Sequence, residues 1–432
     1  MKKRWTEYGM ILVLLLLCIL FSILTLKKQG AMTAAGADRL VEKIEKARES
    51  DTPIFVVGAS RTDSAEFVGQ VAERLRNRGF TEVTTVVGTP REVRQEWETL
   101  AEPAPVLVTS GDAAKWTALA AIQQSHPTLE IVVPEERWQS DFLKRTNLVA
   151  IVDRIVVIAV IAIGMTLIIL TGGIDLSVGS LIALSAVLST LLMRSLGGVD
   201  GADWVIWVGF LAATLLCGAV GGVGGFLVAQ FRVAPFITTL AVMMMARGFA
   251  FLLTGGFSIY QVPPSITWLG RGNLFGIPNT VWLLALLYLG AHLFMQHTRY
   301  GRYIYAVGGN EEAARLSGVP VKAVLVFVYV VGGLCAGFGG CIQASQLSSG
   351  APNLGMMFEL YVIAAVVVGG TSLSGGSGRI FGTLIGAFII SVIQNGMNLL
   401  GFDSYLQQVV LGGVILAAVL LDRFRQRGSV RV

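Results

Sequence analysis

The sequence predicts an all-α polytopic membrane protein with a small α/β domain inserted near its beginning, on three observations. Of the 432 residues, 54% are hydrophobic and only 14% are charged, whereas about 25% of the residues in a soluble domain are charged. Long apolar runs recur after residue 147. The charges concentrate elsewhere: residues 27–147 hold 16 basic and 18 acidic side chains, against 17 and 10 in the rest of the chain.

About ten apolar runs predict ten transmembrane helices, since a helix needs about 20 apolar residues to cross a bilayer. The first run is Met10–Leu26. Its basic start is also typical of a signal peptide, but Lys27 and Lys28 follow directly and favour an uncleaved anchor helix in residues 1–28. The other runs form a transmembrane domain of residues 148–432, at 150–171, 177–196, 205–231, 236–255, 280–296, 322–346, 358–371, 379–400 and 405–421.

Basic residues predict the orientation of these helices, because they are enriched in cytoplasmic loops. Loops after even-numbered spans carry Arg232, four basic residues within 299–322, and Arg379. Placing these loops in the cytoplasm puts both termini there and leaves residues 29–147 outside. Arg194 and Arg271 fall on the outer side, so the rule holds only as a bias.

Within the insert of residues 29–147, residues 53–134 alternate between strand-like and helix-like patterns. Strands are predicted at "PIFVVGAS", "EVTTVVG", "APVLVTSG" and "LEIVVPE", with helices between them, the first ending at Gly79. This order predicts a parallel sheet with helices on both faces, in a small three-layer domain. Ligands bind beyond the carboxyl ends of such strands, here residues 58–62, 88–91 and 109–112.

This stretch resembles the first lobe of a sugar-binding periplasmic protein, without the second lobe. A single lobe offers only an open shelf to a ligand. Docking of a partner, ligand binding and simple decoration therefore all stay open for the domain.

Two similar polar segments interrupt the apolar runs. Residues 172–180 (GGIDLSVGS) and 369–377 (GGTSLSGGS) are identical at six of nine positions, with a constant offset of 197. Such an internal repeat is typical of transporters built from two related halves. The segments predict either broken helices within the membrane or tight loops at its cytoplasmic face. The predicted hinge residues are Gly172, Gly173, Asp175, Ser177, Gly179, Gly369, Gly370, Ser374 and Gly376.

Two charged residues within these runs need an explanation. Asp175 at membrane depth would be costly and functional; at the interface it would cap a helix starting at Leu176, which we favour. Arg247 needs a partner, a cavity or a route to the interface, and a pairing with Asp175 or Glu359 is one hypothesis. Other polar residues in the spans either line a path or bond between helices; they are Thr166, Gln343, Gln346, Gln394, Asn395 and Asn398.

The longest polar loop on the inner side is "GGNEEAARLSGVP", residues 308–320. It predicts a short helix, Glu311–Leu316, with Asn310 as its N-cap and Gly318 as its end. The acidic residues complement the positive end of the helix. An ordinary amphipathic connector would show the same pattern.

Three long gapless stretches resemble the ribose-type branch of ABC importer permeases, in the branched-chain amino acid/ribose permease superfamily. They are "AIGMTLIILTGGIDLSVGSLIALSA", "HTRYGRYIYAVGGNEEAARLSGVPV" and "ELYVIAAVVVGGTSLSGGSGRIFGTLIGAFIISVIQNGMNLLG". The likeness covers about residues 5–26 and 146–432, and the insert departs from the family. It implies a homodimer or pseudo-homodimer in the inner membrane, a separate cytoplasmic ATPase that holds ATP and Mg, and an extracytoplasmic sugar-binding protein.

The resemblance also implies that residues 308–320 form the coupling segment that meets the ATPase. The candidate coupling residues are Gly308, Gly309, Asn310, Glu311, Ala314, Arg315, Leu316, Ser317 and Gly318. The chain lacks a Walker A motif, and its four cysteines and three histidines lack metal-site spacing. No catalytic residue, metal, cofactor or nucleic-acid partner is therefore predicted for this chain.

The expected function is import of a ribose-like or pentose-like monosaccharide by alternating access, powered by the separate ATPase. Two alternatives stay open. An ion-coupled carrier would need acidic residues within the membrane, and Asp175 and Glu359 are the only candidates. A membrane receptor with an external sensing domain would need far fewer spans.

Overall fold

The computed structural model describes residues 2–30, 32–60, 62–100 and 103–429. One compact unit comprises residues Phe21–Leu148, and the other comprises the residues up to Leu20 and those from Val149 onward. The helices are α1 (Lys2–Leu24), α2 (Ala34–Ala47), α3 (Thr62–Asn77), α4 (Pro90–Glu98), α5 (Thr117–Ser125), α6 (Arg145–Leu170), α7 (Val178–Ser195), α8 (Trp204–Phe231), α9 (Pro235–Thr254), α10 (Thr267–Arg271), α11 (Asn279–His297), α12 (Arg299–Gly309), α13 (Glu311–Leu316), α14 (Val321–Leu347), α15 (Phe358–Val368), α16 (Ile380–Leu399) and α17 (Ser404–Ser429). The strands are β1 (Leu26–Gly30), β2 (Ile54–Ala59), β3 (Val83–Gly88), β4 (Val106–Thr109), β5 (Glu130–Val132), β6 (Glu136–Ser140), β7 (Asn273–Leu274) and β8 (Ile277–Pro278).

Most helices of the second unit are apolar along their length. Among the described residues, seven are long and apolar enough to cross a membrane, namely α6, α7, α8, α9, α11, α14 and α16. Shorter apolar helices, at Gly9–Leu24, Phe358–Val368 and Ser404–Leu420, lie where the other three spans are predicted. The chain is therefore a polytopic membrane protein, as predicted. Helix length and composition establish seven candidate spans among the described residues, not the predicted ten.

Helices α8 and α14 pack closely because glycines line their contact. A Cβ atom at Gly221 would overlap the carbonyl oxygen of Tyr329, and one at Gly333 would overlap that of Cys217. Small residues of this kind let two backbones approach in a membrane, where dispersion contacts replace the hydrophobic effect between helices. Cys217 and Cys341 are buried here, as expected for packing residues.

The unit Phe21–Leu148 contains a four-stranded parallel sheet with strand order β3-β2-β4-β5. Successive side chains of β2 point to opposite faces, so Ile54 and Val56 pack with α2 and α3 while Phe55 and Val57 pack with α4 and α5. Gly79 follows α3 with φ +93°, the left-handed conformation of a helix-ending glycine. The predicted order of strands and helices is present, with α2 as an additional helix.

An antiparallel pair, β1 with β6, joins the two ends of this unit and was not predicted. The first apolar run was expected to continue to Leu26, but α1 ends at Leu24. Thr25 explains the difference: its buried hydroxyl donates to the Phe21 carbonyl at 2.7 Å and accepts from the Phe142 amide at 3.2 Å. The basic residues after the run consequently lie in β1 rather than at a helix end.

Candidate functional site

Two loops of the transmembrane unit meet directly. One connects α6 to α7 (residues 171–177) and the other connects α15 to α16 (residues 369–379). The Gly376 amide of the second loop donates to the Leu170 carbonyl, at the start of the first, over 2.9 Å. The structure therefore brings together the two segments that the sequence repeat singled out.

The end of α12 packs into this contact through Gly308. A Cβ atom there would overlap the Leu170 carbonyl oxygen and lie 2.6 Å from the Gly376 nitrogen. From the second loop, a Cβ atom at Gly375 would lie 2.9 Å from the Gly308 oxygen and 3.1 Å from the Gly172 nitrogen. We call Leu170, Gly172, Gly308, Gly375 and Gly376 the loop junction. A Cβ atom would collide with backbone at Gly308, Gly375 and Gly376, whereas one at Gly172 would meet nothing within 4 Å.

Both loops begin with the same helix-ending geometry. Gly172 and Gly370 have φ angles of +80° and +83°, and the amides that follow, of Gly173 and Thr371, each reach back five residues along the preceding helix. Other residues pay about 1–2 kcal/mol for the left-handed conformation, so glycine is favoured. The sequence repeat aligns Gly172 with Gly369, whereas the left-handed glycine of the second loop is Gly370. The two loops therefore correspond in structure with a shift of one residue from the sequence alignment.

Asp175 is buried, with 1% of its surface exposed. Its Oδ1 accepts hydrogen bonds from the Ser177 amide at 2.7 Å and the Ser177 hydroxyl at 2.6 Å. The expectation that Asp175 caps a helix starting at Leu176 is wrong, because α7 begins two residues later and the carboxylate closes the turn before it. The Thr239 hydroxyl of α9 supports this turn by accepting from the Leu176 amide at 3.1 Å.

Tyr329 of α14 also lies against this loop, and sequence reasoning missed it. It is buried, and a Cβ atom at Gly173 would lie 2.6 Å from its hydroxyl oxygen. The sequence offers only a weak signal, a single tyrosine within a glycine-rich apolar run.

The segment after the junction folds as the sequence predicts. Helix α13 spans Glu311–Leu316. The Asn310 side chain accepts from the Ala313 amide at 2.9 Å, which makes it the N-cap. Gly318, with φ +81°, ends the helix.

The surface of α13 combines one apolar side chain with charged neighbours. Leu316 is 76% exposed, whereas Ala314 is buried. Arg315 donates from Nε to the Glu312 carboxylate at 3.1 Å. This hydrogen bond holds the pKa of Glu312 below its ordinary value and raises the pKa of Arg315. An exposed leucine beside an ion pair forms a small contact surface.

Arg247 of α9 binds backbone rather than a carboxylate. It donates to the carbonyl oxygens of Pro352 at 2.8 Å and Leu354 at 2.7 Å. In the part of the chain that the structure describes, no salt bridge joins it to Asp175 or Glu359. The hypothesis of a direct pairing is therefore wrong, because the guanidinium forms its hydrogen bonds with carbonyl groups of a neighbouring segment instead.

Gly179 belongs to the same region as Arg247. Its carbonyl accepts from Arg247 at 3.3 Å. A Cβ atom on it would lie 2.5 Å from the Gly355 oxygen and overlap the Glu359 carboxylate. Gly179 thus lets the segment before α15 approach α7 closely.

The other predicted residues have structural partners. A Cβ atom at Gly369 would lie 2.5 Å from the Gly382 oxygen of α16, and the Ser374 amide donates within its own loop. Asn395 lies buried in α16. Among the polar residues of the spans, the Thr166 and Thr383 hydroxyls bond at 2.8 Å, which links α6 to α16.

Two further observations favour interhelical bonding over a path. Gln346 donates to the Asp153 carbonyl of α6 at 2.9 Å, and Gln407 of α17 donates to Asn398 at 2.7 Å.

Among the residues that the structure describes, no group of three or more His, Cys, Asp or Glu side chains is placed to hold a metal ion.

Comparison with known proteins identifies the family. The model of the family described as "Branched-chain amino acid transport system / permease component" matches residues 147–419. The chain belongs to this permease family. The matched residues include the loop junction and α13. The predicted resemblance is confirmed, and so is the prediction of a transport subunit that is not itself the ATPase.

Several curated proteins resemble this permease over most of their own length. The ribose import permease protein RbsC of Escherichia coli K12 is 44% identical over 290 residues, which are 66% of this chain and 88% of the relative. RbsC of Bacillus subtilis 168 is 43% identical over 284 residues, 65% and 86% of the two chains. The L-arabinose permease protein AraH of E. coli K12 is 36% identical over 269 residues, 62% and 80%. No solved structure matches the chain.

Membership of the family places the permease in the inner membrane as a multi-pass subunit of an ABC importer. Such a subunit works with a separate ATPase and with an extracytoplasmic binding protein.

Proposed function

We propose that this permease imports a ribose-like or pentose-like monosaccharide by alternating access, with ATP and Mg bound on the partner ATPase. The observation that carries the proposal is the 44% identity with a protein named ribose import permease, across 88% of that protein. The relative named for L-arabinose transport, AraH, also favours a pentose over larger sugars.

The coupling residues predicted within 308–320 have a structural rationale. Helix α13 presents the exposed Leu316 to a partner, and Gly308, three residues before α13, touches both loops of the junction. A displacement of α13 would consequently move backbone that is in contact with the end of α6 and with the loop between α15 and α16. We infer that this contact transmits the motion of the ATPase to both halves of the permease.

The proposed topology has ten spans, α1, α6, α7, α8, α9, α11, α14, α15, α16 and α17. Residues 1–28 form the anchor, 29–147 an extracytoplasmic domain and 148–432 the permease domain, with both termini in the cytoplasm. This topology puts the loops 171–177 and 369–379 and the segment 308–320 on one side. The direct contacts of the loop junction support placing these three segments together.

We propose that residues 29–147 dock the sugar-binding protein or tune release of its sugar. At the carboxyl end of β4, Ser110 accepts from Ser64 and donates to Asp112, both at 2.6 Å. A Cβ atom at Gly30 would lie 3.0 Å from the Gly111 Cα, so β1 covers this end of the sheet. Satisfied polar groups beneath a covering strand favour a docking surface over an open ligand shelf.

Deletion of residues 34–132 tests this role and leaves β1 and β6 to pair across the gap. We expect the truncated permease to bind the sugar-binding protein more weakly while still assembling with the ATPase. Unchanged affinity together with unchanged transport would show that the domain has neither role.

The proposed function is tested by uptake into proteoliposomes that contain the permease and its ATPase, with the binding protein outside. We expect uptake of D-ribose or L-arabinose that requires ATP and is insensitive to collapse of ion gradients. Uptake that persists without the ATPase and stops with the ion gradient would refute the proposal. The permease is also expected to form a homodimer. Cross-linking two differently tagged copies of the permease in one membrane tests this expectation.

A further inference from the structure

A cavity of about 370 Å³ lies beside Arg247, where α7, α9 and the start of α15 meet. Its lining includes Ser180, Arg247 and Glu359, together with methionines of α9 and of the segment before α15. The volume falls within the roughly 300–1,000 Å³ that small-molecule pockets occupy. The two opposite charges give the cavity no net charge.

Arg247 holds one wall of this cavity in place. It donates hydrogen bonds to the Pro352 and Leu354 carbonyls of the segment 348–357 and a third to the Gly179 carbonyl of α7. The segment carries two non-glycine residues in the left-handed region, Ser348 with φ 52° and Met357 with φ 66°. Such strain persists only where surrounding contacts fix the backbone, and it is common at ligand sites. Three bonds leave two of the five N–H groups of the guanidinium for a ligand.

Glu359 supplies the acceptors. It lies in the first turn of α15 and is half-buried at the cavity wall. No other described residue donates a hydrogen bond to its carboxylate, although the carboxylate can accept about four. A half-buried carboxylate with unused acceptors needs either water or the hydroxyl groups of a ligand.

Resting on the proposed function, we propose that this cavity is a contact site for the imported monosaccharide along its path through the membrane. Glu359 accepts hydrogen bonds from sugar hydroxyls, and the unused N–H groups of Arg247 donate to sugar oxygens. The methionines contact the C–H faces with flexible apolar side chains. A neutral polyol fits best, because Glu359 would repel an anion and Arg247 would repel a cation.

The position suits a contact within the membrane, between the outer segment 348–357 and the start of α7. In the proposed topology, the segment 348–357 and the start of α15 lie on the outer side. The Ile259–Gly350 bridge ties this segment to the outer end of α9. The cavity also reaches Ser180 in the first turn of α7, which follows the inner loop 171–177, so it lies within the depth of the spans rather than at one end.

The first experiment compares Glu359→Gln with the parent permease, each assembled with its ATPase and binding protein in proteoliposomes. A charged hydrogen bond contributes about 1.5–3 kcal/mol, so D-ribose uptake should fall roughly 10-fold or more. The ATPase should still co-purify with this variant, because α13 is untouched. Asp200→Asn, an exposed acidic residue before α8, is the matched control and should keep parental uptake.

The second experiment measures occupancy directly. Glu359→Cys is labelled with a water-soluble thiol reagent, with the parent protein correcting for its own four cysteines. D-ribose should slow the labelling, and an equimolar sugar anion such as D-ribose 5-phosphate should not. Equal labelling with and without D-ribose, or parental uptake by Glu359→Gln, would overturn the proposed site. Absence of any sugar uptake by the parent permease would instead refute the proposed function.

Discussion

Gly308→Ala is the sharpest test of the coupling contact. A methyl group there would lie 2.6 Å from the Gly376 nitrogen and 2.8 Å from the Leu170 carbonyl carbon, besides overlapping the Leu170 oxygen. Ordinary contacts of a Cβ atom begin at 3.4 Å. All three neighbours are backbone atoms, which cannot rotate away, so α12 or the two loops must shift.

The magnitude follows from the atoms involved. Overpacking of this kind costs about 1–3 kcal/mol, and the Gly376–Leu170 hydrogen bond is worth about 1 kcal/mol if it breaks. The better helix propensity of alanine returns about 1 kcal/mol. The net destabilisation of the packed loop junction is therefore roughly 1–3 kcal/mol. An energy of this size corresponds to a weakening of the coupling by about 5-fold to 150-fold.

The neighbouring residue provides a matched control. A Cβ atom at Gly309 meets nothing within 4 Å, and Gly309 lies in the same helix. Gly309→Ala should therefore gain the same helix propensity without the clash.

The assay compares the parent permease and the two variants for sugar uptake and stimulated ATP hydrolysis in identical proteoliposomes. We expect sugar uptake by Gly308→Ala to be lower than that of the parent by a factor of about five or more. Uptake by Gly309→Ala should stay within about twofold of the parental rate. Equal activity of the two variants would refute the argument that backbone contact at Gly308 carries coupling.

Three further substitutions test the neighbouring features. Gly172→Ala should lower the thermal midpoint of the detergent-solubilised permease, because alanine at φ +80° costs about 1–2 kcal/mol; an unchanged midpoint would argue against this helix ending. Thr239→Val should also lower the midpoint, by roughly the effect of 1 kcal/mol, since the Leu176 amide loses its acceptor; a midpoint equal to that of the parent would show that the turn does not need this bond. Leu316→Asp should abolish co-purification of the ATPase while leaving the midpoint unchanged, because the side chain is 76% exposed; retained ATPase would exclude Leu316 from the interface.

The local features of this permease could be read from its sequence because each depends on neighbouring residues. Apolar runs determined the transmembrane helices, since every such helix must satisfy its own backbone in lipid. The bounds of α13 followed from Asn310 and Gly318, whose capping chemistry acts within one turn. The order of strands and helices in the α/β unit followed from the change of period between 2 and 3.6.

Only the tertiary structure decided which of these features meet. The repeat marked Gly376 as special, but nothing in the sequence paired it with Gly308, because a contact between backbones leaves no side-chain signature. The partners of Arg247 were hidden for a related reason: every residue offers a carbonyl oxygen, so the sequence pointed to carboxylates while the fold supplied Pro352 and Leu354. Local chemistry thus fixed the elements, and the packing of distant backbones fixed the site.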